Sequence, residues 1–431
     1  MSNRSDPMNR RHMLKLGGGA TGLLLGTPAI AQTRYAPPTG VDTGAVQDGR
    51  IDFPNWRSDA DPRTAAPPAP LPPDQRVGFA VVGLGRLSLE ELLPAFGECR
   101  MARPVALVSG TPDKLRTVAR QYGIAEAACY DYASFDRIRD NPDVKVVYIV
   151  LPNGMHREFV ERAAAAGKHV LCEKPMANSA EEARSMIRAC ETARVRLMVA
   201  YRIQYESYNL AALRLVRGGD LGRLVGMTAV NVQTVAQNGT EQWRHKKAMA
   251  GGGALPDIGL YCLNTARFLS GEEPIWIQAT LFNPSGDPRY AEVEETISFT
   301  LRFPSGFMAN CLTSYGARDD KYQRLNFATA TIDMPNAYKY EGQELYVSRN
   351  REGRNQRENI ILPQKNQFAE EIDHMAECVL QGRVPRTPGE EGLQDHVIME
   401  AIYRSAASAQ SVTLQPQPRS DMFRTLPEGL G

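Results

Sequence analysis

From Arg76 to about Ala200 the chain alternates short, almost continuously apolar runs with stretches of helical period. VGFAVVGLG (77–85) reads as a buried strand closed by a glycine turn, and PVALVSG (104–110) as a second strand. Leu115 to Tyr122 reads as a helix, and VKVVYIVLPN (144–153) as a third, very apolar strand. An alanine-rich helix over His156 to Gly167 stops at glycine, which relieves the left-handed backbone of a helix end. KHVLCEKP (168–175), a helix over Ala180 to Ala193, and VRLMVAY (195–201) complete the series. Strands that are apolar on both faces and separated by helices predict a parallel sheet covered on both sides.

After Tyr201 the texture changes. A helix over Tyr208 to Arg217 ends at Gly218-Gly219. Longer strand-like runs follow at 223–235, 275–283, 294–303, 307–315 and 324–334, joined by turns rather than helices. That pattern predicts a large, open, mostly antiparallel sheet, with closing helices near Asn366 to Leu380 and Gly392 to Ser408. The expected class is α/β: a doubly wound parallel Rossmann domain over 76–200, and an α+β domain over 201–431 for substrate binding and oligomerisation.

The N-terminal stretch has neither pattern. Arg10 and Arg11 precede an apolar run, Leu16 to Ile30, that is too short for a stable membrane span and ends at Ala29-Ile30-Ala31. This is the form of a twin-arginine signal over residues 1–31, read by a translocon that exports folded cargo, and it implies a periplasmic destination. Residues 32–75 are rich in proline and have few periodic apolar positions. They read as an extended arm, either a spacer or a segment that docks on a neighbouring subunit through Trp56.

Composition narrows the function classes. With 50 Lys+Arg against 49 Asp+Glu the net charge is +1, which gives no reason to expect nucleic acid or an anionic membrane as partner. The 7 cysteines contain no CxxC pair, and the 6 histidines no HExxH or His-x-His pattern, so no metal site is expected.

The chemistry gathers at three places. GLGRLS (83–88) follows the first strand and precedes a helix, a loose match to G-x-G-x-x-(G/A) in the context that motif requires. Gly83 permits the tight turn, and Gly85 lets the backbone approach a pyrophosphate at the helix N-terminus. The second strand ends in Ser109-Gly110-Thr111, without the acidic residue that binds ribose hydroxyls in NAD sites, and Arg86 and Lys114 stand near. That set suits a 2′-phosphate, hence NADP. Finally, Lys174 ends the fourth strand, and GGGALPDIGLY (251–261) places Asp257 and Tyr261 four residues apart, on one face if helical. A lysine, a carboxylate and a tyrosine beside a nicotinamide can move protons to and from a sugar hydroxyl.

In their order along the chain, GLGRLS, LPNGMHREF, GKHVLCEKPMAN, QWR, GGGALPDIGLYCLN and PGEEGLQD resemble the glucose–fructose oxidoreductase and inositol dehydrogenase superfamily, from the signal to about Ser408. Within it, the chain is most similar to the periplasmic glucose–fructose and aldose–aldose oxidoreductases. The resemblance implies a catalytic set of Lys174, Asp257 and Tyr261. It implies a dinucleotide site that includes Gly83, Leu84, Gly85, Arg86, Leu87, Ser109, Gly110, Lys114, Leu151, Pro152, Asn153, His156, Glu173, Lys174, Arg202, Trp243 and Arg244. It also implies NADP that does not dissociate during turnover, a homodimer or homotetramer with arm contacts, and small-molecule sugars as substrates. One sugar would be oxidised at C1 to a lactone and a second, fructose or an aldose, reduced to an alditol. Two departures stand out: Leu87-Ser88 in place of the Tyr-Ala of the fructose-reducing enzymes, and Arg202-Ile203-Gln204.

In the expected mechanism Tyr261 takes the C1 hydroxyl proton while hydride leaves. A phenol titrates near about 10 in water, and a neighbouring ammonium favours its ionised form. Asp257 would orient the sugar, and Lys174–Pro175 is a candidate cis bond. His156 and His245 read as structural or cofactor-adjacent. Two other readings compete: a conventional NADP-dependent sugar or diol dehydrogenase with exchangeable cofactor, and an exported, non-catalytic sugar-binding protein.

Overall fold

The computed structural model describes residues 43–47, 50–53, 75–236, 239–362 and 365–415. The stretch expected as a twin-arginine signal and Trp56 lie outside the described residues. Within the arm, β1 (Ala45–Gln47) and β2 (Arg50–Asp52) pair as a small antiparallel hairpin. Ile51 packs against the apolar side of the adjoining parallel sheet.

That sheet has six strands in the order β5-β4-β3-β6-β7-β8. They are β3 (Val77–Val82), β4 (Ala102–Val108), β5 (Cys129–Tyr130), β6 (Val146–Ile149), β7 (His169–Glu173) and β8 (Leu197–Ala200). Every pairing is parallel. β3 and β6 are wholly buried, as sequences apolar on both faces require. The strand order reverses beside β3, and the carboxyl ends there form the crevice where such sheets bind ligands.

The second sheet has nine strands, ordered β16-β15-β14-β13-β9-β12-β11-β10-β17. Its centre is β9 (Leu224–Thr234), with β10 (Trp276–Phe282), β11 (Thr296–Arg302), β12 (Met308–Ser314) and β13 (Gly316–Phe327). β14 (Ala330–Met334), β15 (Tyr346–Arg351), β16 (Arg354–Asn359) and β17 (Val412–Thr413) extend the edges. Only β9 and β12 run parallel; the other pairings are antiparallel. The run at 324–334, expected as one strand, is a hairpin of β13 and β14. β5, β15 and β16 lacked the apolar pattern of strands, and β16 is exposed throughout.

The two closing helices return to the parallel sheet. Phe368, Ala369, Ile372, Met375 and Ala376 of the helix Gln367–Gln381 lie at helical spacing and pack with Phe79, Val81 and Leu107. The helix Gly389–Ser408 lies along the helix Ala180–Ala193, and Val199 N–H donates to Thr387 O at 2.7 Å. One face of the Rossmann sheet is thus covered by chain that a division at residue 200 assigns to the second domain.

Candidate active site

The glycine loop is built by strand contact. Gly83 has φ +94°, and a Cβ there would lie 2.2 Å from Val150 O, so only glycine lets β3 pass β6 at this turn. Its N–H donates to Val108 O at 2.9 Å. Ser88, in the third small position, is fully buried and donates from Oγ to Gly83 O at 2.5 Å, bracing the loop. A π-helical turn, Ser88–Leu92, then leads the chain away, with Leu89 N–H donating to Gly85 O at 3.1 Å. Leu84 is buried, and Leu87 packs on the sheet's apolar side.

At the end of β4, Ser109 Oγ accepts from Thr111 N–H at 3.2 Å, and the Gly110 site is closed by the Tyr132 ring. Lys114 is 3 % exposed, and burial pulls its ammonium down to about 8. Its Nζ donates to Thr43 O. Phe53 lies under two cations, 5.4 Å from the Arg86 guanidinium and 5.8 Å from Lys114 Nζ. The arm hairpin therefore covers the residues that the sequence offers for a 2′-phosphate. Arg86 also pairs with Glu90 Oε1 at 3.6 Å, and the glycine loop beside these side chains suits a dinucleotide.

Leu151 and Pro152 end β6 and lead into the helix Asn153–Ala165. Asn153 Nδ2 donates to Ala250 O at 2.9 Å. His156 is fully buried with its ring nitrogens 2.8 Å from Leu151 O and 3.0 Å from Pro175 O. It lies between the two loops, and burial lowers its pKa from the ordinary value against the opposing pull of the two carbonyl oxygens. His245 is likewise buried, edge-on to Tyr290 and Tyr315, and burial pushes it down to about 4. Neither is placed as a general base.

Glu173 ends β7, Lys174 follows it, and the Lys174–Pro175 bond is cis. Glu173 accepts from the Tyr148 hydroxyl at 2.8 Å; burial raises its pKa despite that bond. Lys174 Nζ donates to Asp257 O at 2.7 Å and stands 3.6 Å from Asp257 Oδ1. It also lies 4.7 Å from the Tyr261 ring centroid. Asp257 sits in a second π-helical turn, Leu255–Gly259, just before the helix Leu260–Ser270 that carries Tyr261. Such turns insert a residue into a helix and re-aim its side chains.

Arg202 follows β8 in a short 3-10 turn, Arg202–Tyr205, and is 5 % exposed. Its Nε donates to Tyr261 Oη at 3.2 Å, and its guanidinium lies 4.7 Å from the Tyr261 ring centroid. The fork is fixed by Tyr338 O at 2.6 Å, Gln367 Oε1 at 2.6 Å and Lys339 O at 3.2 Å. Two cations thus bracket the tyrosine, one on its ring and one also on its oxygen. Trp243 carries the Arg244 guanidinium at 4.3 Å, and Arg244 Nε reaches Asp257 Oδ2 at 3.3 Å.

Sequence reasoning missed Tyr315, whose hydroxyl donates to Asp257 Oδ2 at 2.7 Å. It also missed Tyr338, 6.2 Å from Tyr261 between ring centroids, and Gln367. The signal for Tyr315 was its place at the end of a strand beside β9; nothing local marked the others. Among the described residues, no group of three or more His, Cys, Asp or Glu is placed to hold a metal.

The comparisons agree with this layout. Residues 77–201 match the family model "Oxidoreductase family, NAD-binding Rossmann fold", and residues 209–330 match "GFO/IDH/MocA C-terminal domain". D-xylose 1-dehydrogenase [NADP(+)] of Haloarcula marismortui is 31% identical over 79% of this chain and 94% of its own length. The crystal structure of aldose-aldose oxidoreductase from Caulobacter crescentus, complexed with glycerol, is 43% identical, with TM-score 0.75 over 79% of this chain and 100% of that one. Levoglucosan dehydrogenase with NADH and levoglucosan, 23% identical with TM-score 0.69 over 79% of this chain and 99% of that one, shares the fold. The chain belongs to the GFO/IDH/MocA oxidoreductase family, with a Rossmann domain for a nicotinamide nucleotide.

Proposed function

We propose that this protein is a sugar oxidoreductase that retains NADP, oxidises an aldose at C1 to the lactone and reduces a second sugar, fructose or an aldose, to the alditol. The observation that carries the reading is Tyr261 held between Lys174 and Arg202, beside an anchored Asp257. A nicotinamide held at the Gly83 loop would supply the hydride acceptor of the first half-reaction and the hydride donor of the second. Tyr261 Oη takes the C1 hydroxyl proton in the first half and gives a proton to the acceptor's carbonyl oxygen in the second. Arg202 Nε holds Tyr261 Oη at 3.2 Å and Lys174 lies against its ring, which fixes in place the oxygen that exchanges the proton. Asp257, held by Tyr315, Arg244 and Lys174, accepts from a sugar hydroxyl and aligns C1.

Arg86 and Lys114, with no acid at the end of β4, support NADP over NAD, and the arm closes over that end. The names of two relatives above 30% identity, an NADP(+) D-xylose dehydrogenase and an aldose-aldose oxidoreductase, support sugar chemistry. Arg10, Arg11 and the Ala29-Ile30-Ala31 site support export in folded form through the twin-arginine translocon to the periplasm. Free nucleotide is not expected there, which favours a resident cofactor over an exchangeable one. A homodimer or homotetramer completes the reading.

The test is the half-reaction of Tyr261→Phe. The variant should keep its nucleotide and lose about 10²–10⁴-fold in the rate of nicotinamide reduction by an aldose, the range for a removed general acid–base. A variant reduced at the wild-type rate would rule out the tyrosine as the proton acceptor.

A further inference from the structure

The motif PGEEGLQD (388–395) and the triplet Arg202-Ile203-Gln204 stand out in the sequence, and proton transfer uses only Arg202 of them. The structure brings the two together behind the active site. Gln204 shares the 3-10 turn of Arg202, and Asn264 follows Tyr261 by three residues on the helix Leu260–Ser270. Gln204 Nε2 donates to Asn264 Oδ1 at 2.9 Å. This bond is a second rung between turn and helix, beside the one from Arg202 Nε to Tyr261 Oη.

Glu391 and Asp395, one turn apart at the start of the helix Gly389–Ser408, hold that rung. Glu391 Oε1 accepts from Gln204 Nε2 at 3.3 Å and from Asn264 Nδ2 at 2.9 Å, and Asp395 Oδ2 accepts from Asn264 Nδ2 at 2.9 Å. An ionised carboxylate only accepts, so it turns both amide nitrogens toward itself and leaves Asn264 Oδ1 for Gln204. Arg267, on the Tyr261 helix, supplies the countercharge: its Nη2 is 3.1 Å from Glu391 Oε2, its Nη1 pairs with Asp395 Oδ1, and its Nε is 2.7 Å from Glu273 Oε2. Gln204, Asn264, Arg267, Glu391 and Asp395 are all buried, and hydrogen bonds in a dry interior hold their partners rigidly.

The same segment grips the other elements of the site. Arg386 Nη1 donates to Gln204 O at 2.6 Å. His396 Nε2 accepts from Ala177 N–H at 3.0 Å, and a Cβ at Gly392 would lie 2.9 Å from Met176 Cβ, so the helix lies close against the loop after Lys174. Residues 386–396 thus join the Lys174 loop, the Arg202 turn and the Tyr261 helix.

Resting on the sugar reading above, we propose that Glu391 is a positioning residue for proton transfer. Through Gln204 and Asn264 it sets the Arg202 turn against the Tyr261 helix, and hence where Tyr261 Oη meets the sugar hydroxyl. It acts from behind the site, so sugar affinity and nucleotide retention do not depend on it.

The experiment compares wild type, Glu391→Gln, Gln204→Met and the double variant. The first replacement is isosteric and leaves Arg267 paired with Asp395 and Glu273; the second leaves the ion cluster whole. Each protein is read by single-turnover reduction of the bound nicotinamide over a range of D-glucose concentrations, with nucleotide content by absorbance and a thermal melt. Each single variant should lower the limiting rate about 10–100-fold, the range for a reacting group misplaced by up to about 1 Å, with the apparent KM within a few-fold and the nucleotide retained. Because both act on one rung, the double variant should be no slower than the slower single variant. Wild-type limiting rates in both single variants, losses that multiply in the double variant, or a raised KM at an unchanged limiting rate would overturn the positioning role and leave the sugar reading standing. A wild type whose nicotinamide is reduced by no aldose would overturn both. If Glu391→Gln melts early, Gln204→Met decides.

Discussion

Replacing Arg202 by lysine separates the charge beside Tyr261 from the hydrogen bond to its oxygen. The guanidinium serves four partners through a rigid fork: Tyr261 Oη, Tyr338 O, Lys339 O and Gln367 Oε1. An ammonium lacks the fork and is drawn to Tyr338 O and Gln367 Oε1, while Lys339 O keeps the Gln343 and Gln367 side-chain amides as donors. A cation then remains near the ring while Tyr261 Oη loses its donor. A hydrogen bond to a charged group contributes about 1.5–3 kcal/mol, and about 1.4 kcal/mol is a factor of ten in rate, so its loss costs about 10–100-fold. The assay is single-turnover reduction of the bound nicotinamide by an aldose, with nucleotide content read by absorbance. The limiting rate of Arg202→Lys should fall about 10–100-fold while nucleotide content is unchanged. A wild-type limiting rate would refute the role of Arg202 in holding the tyrosine oxygen.

Other consequences follow from single contacts. Tyr315→Phe deletes the 2.7 Å bond to Asp257 Oδ2 and should lower the limiting rate about 10–100-fold while nucleotide content, read by absorbance, is unchanged. Glu371 is 1 % exposed, neither of its oxygens has a partner among the described residues, and burial, then the nearby Glu173, holds its pKa well above the ordinary value. The folded state thus binds a proton that the unfolded chain releases near pH ~4.3, so stability falls as pH rises above that value. Glu371→Gln should melt with wild type in acid and increasingly above it toward alkaline pH; parallel melting curves would contradict this. Gly83→Ala forces a side chain into φ +94° and against Val150 O, costing about 1–3 kcal/mol in backbone strain alone, and should lower the melting temperature and empty the nucleotide site.

What the sequence disclosed and what it hid have a common cause. The parallel sheet was legible because its strands are apolar on both faces and its glycine turn can be filled by no other residue. Lys174, Asp257 and Tyr261 stood in short motifs, and the structure brings all three together. The start of β13 was not legible, because Asp319, Lys321 and Gln323 occupy the face where a strand pattern calls for apolar residues. The helix Gln367–Gln381 was found, but not its partner: an apolar stripe at helical spacing does not say which sheet it covers. Arg202 was read as a residue near the dinucleotide. Its bond to Tyr261 depends on a chain reversal after β8 and on carbonyls from 338 and 339, far along the chain.

The most direct test of the account is the absorbance and fluorescence of the mature protein, purified and desalted with no nucleotide added. The account predicts a bound NADP that becomes reduced when glucose is added and is reoxidised by fructose or a second aldose, with no nucleotide released into the filtrate. A protein that emerges empty, and oxidises sugar only while added NADP is consumed, would contradict the closed cycle and make it a conventional dehydrogenase.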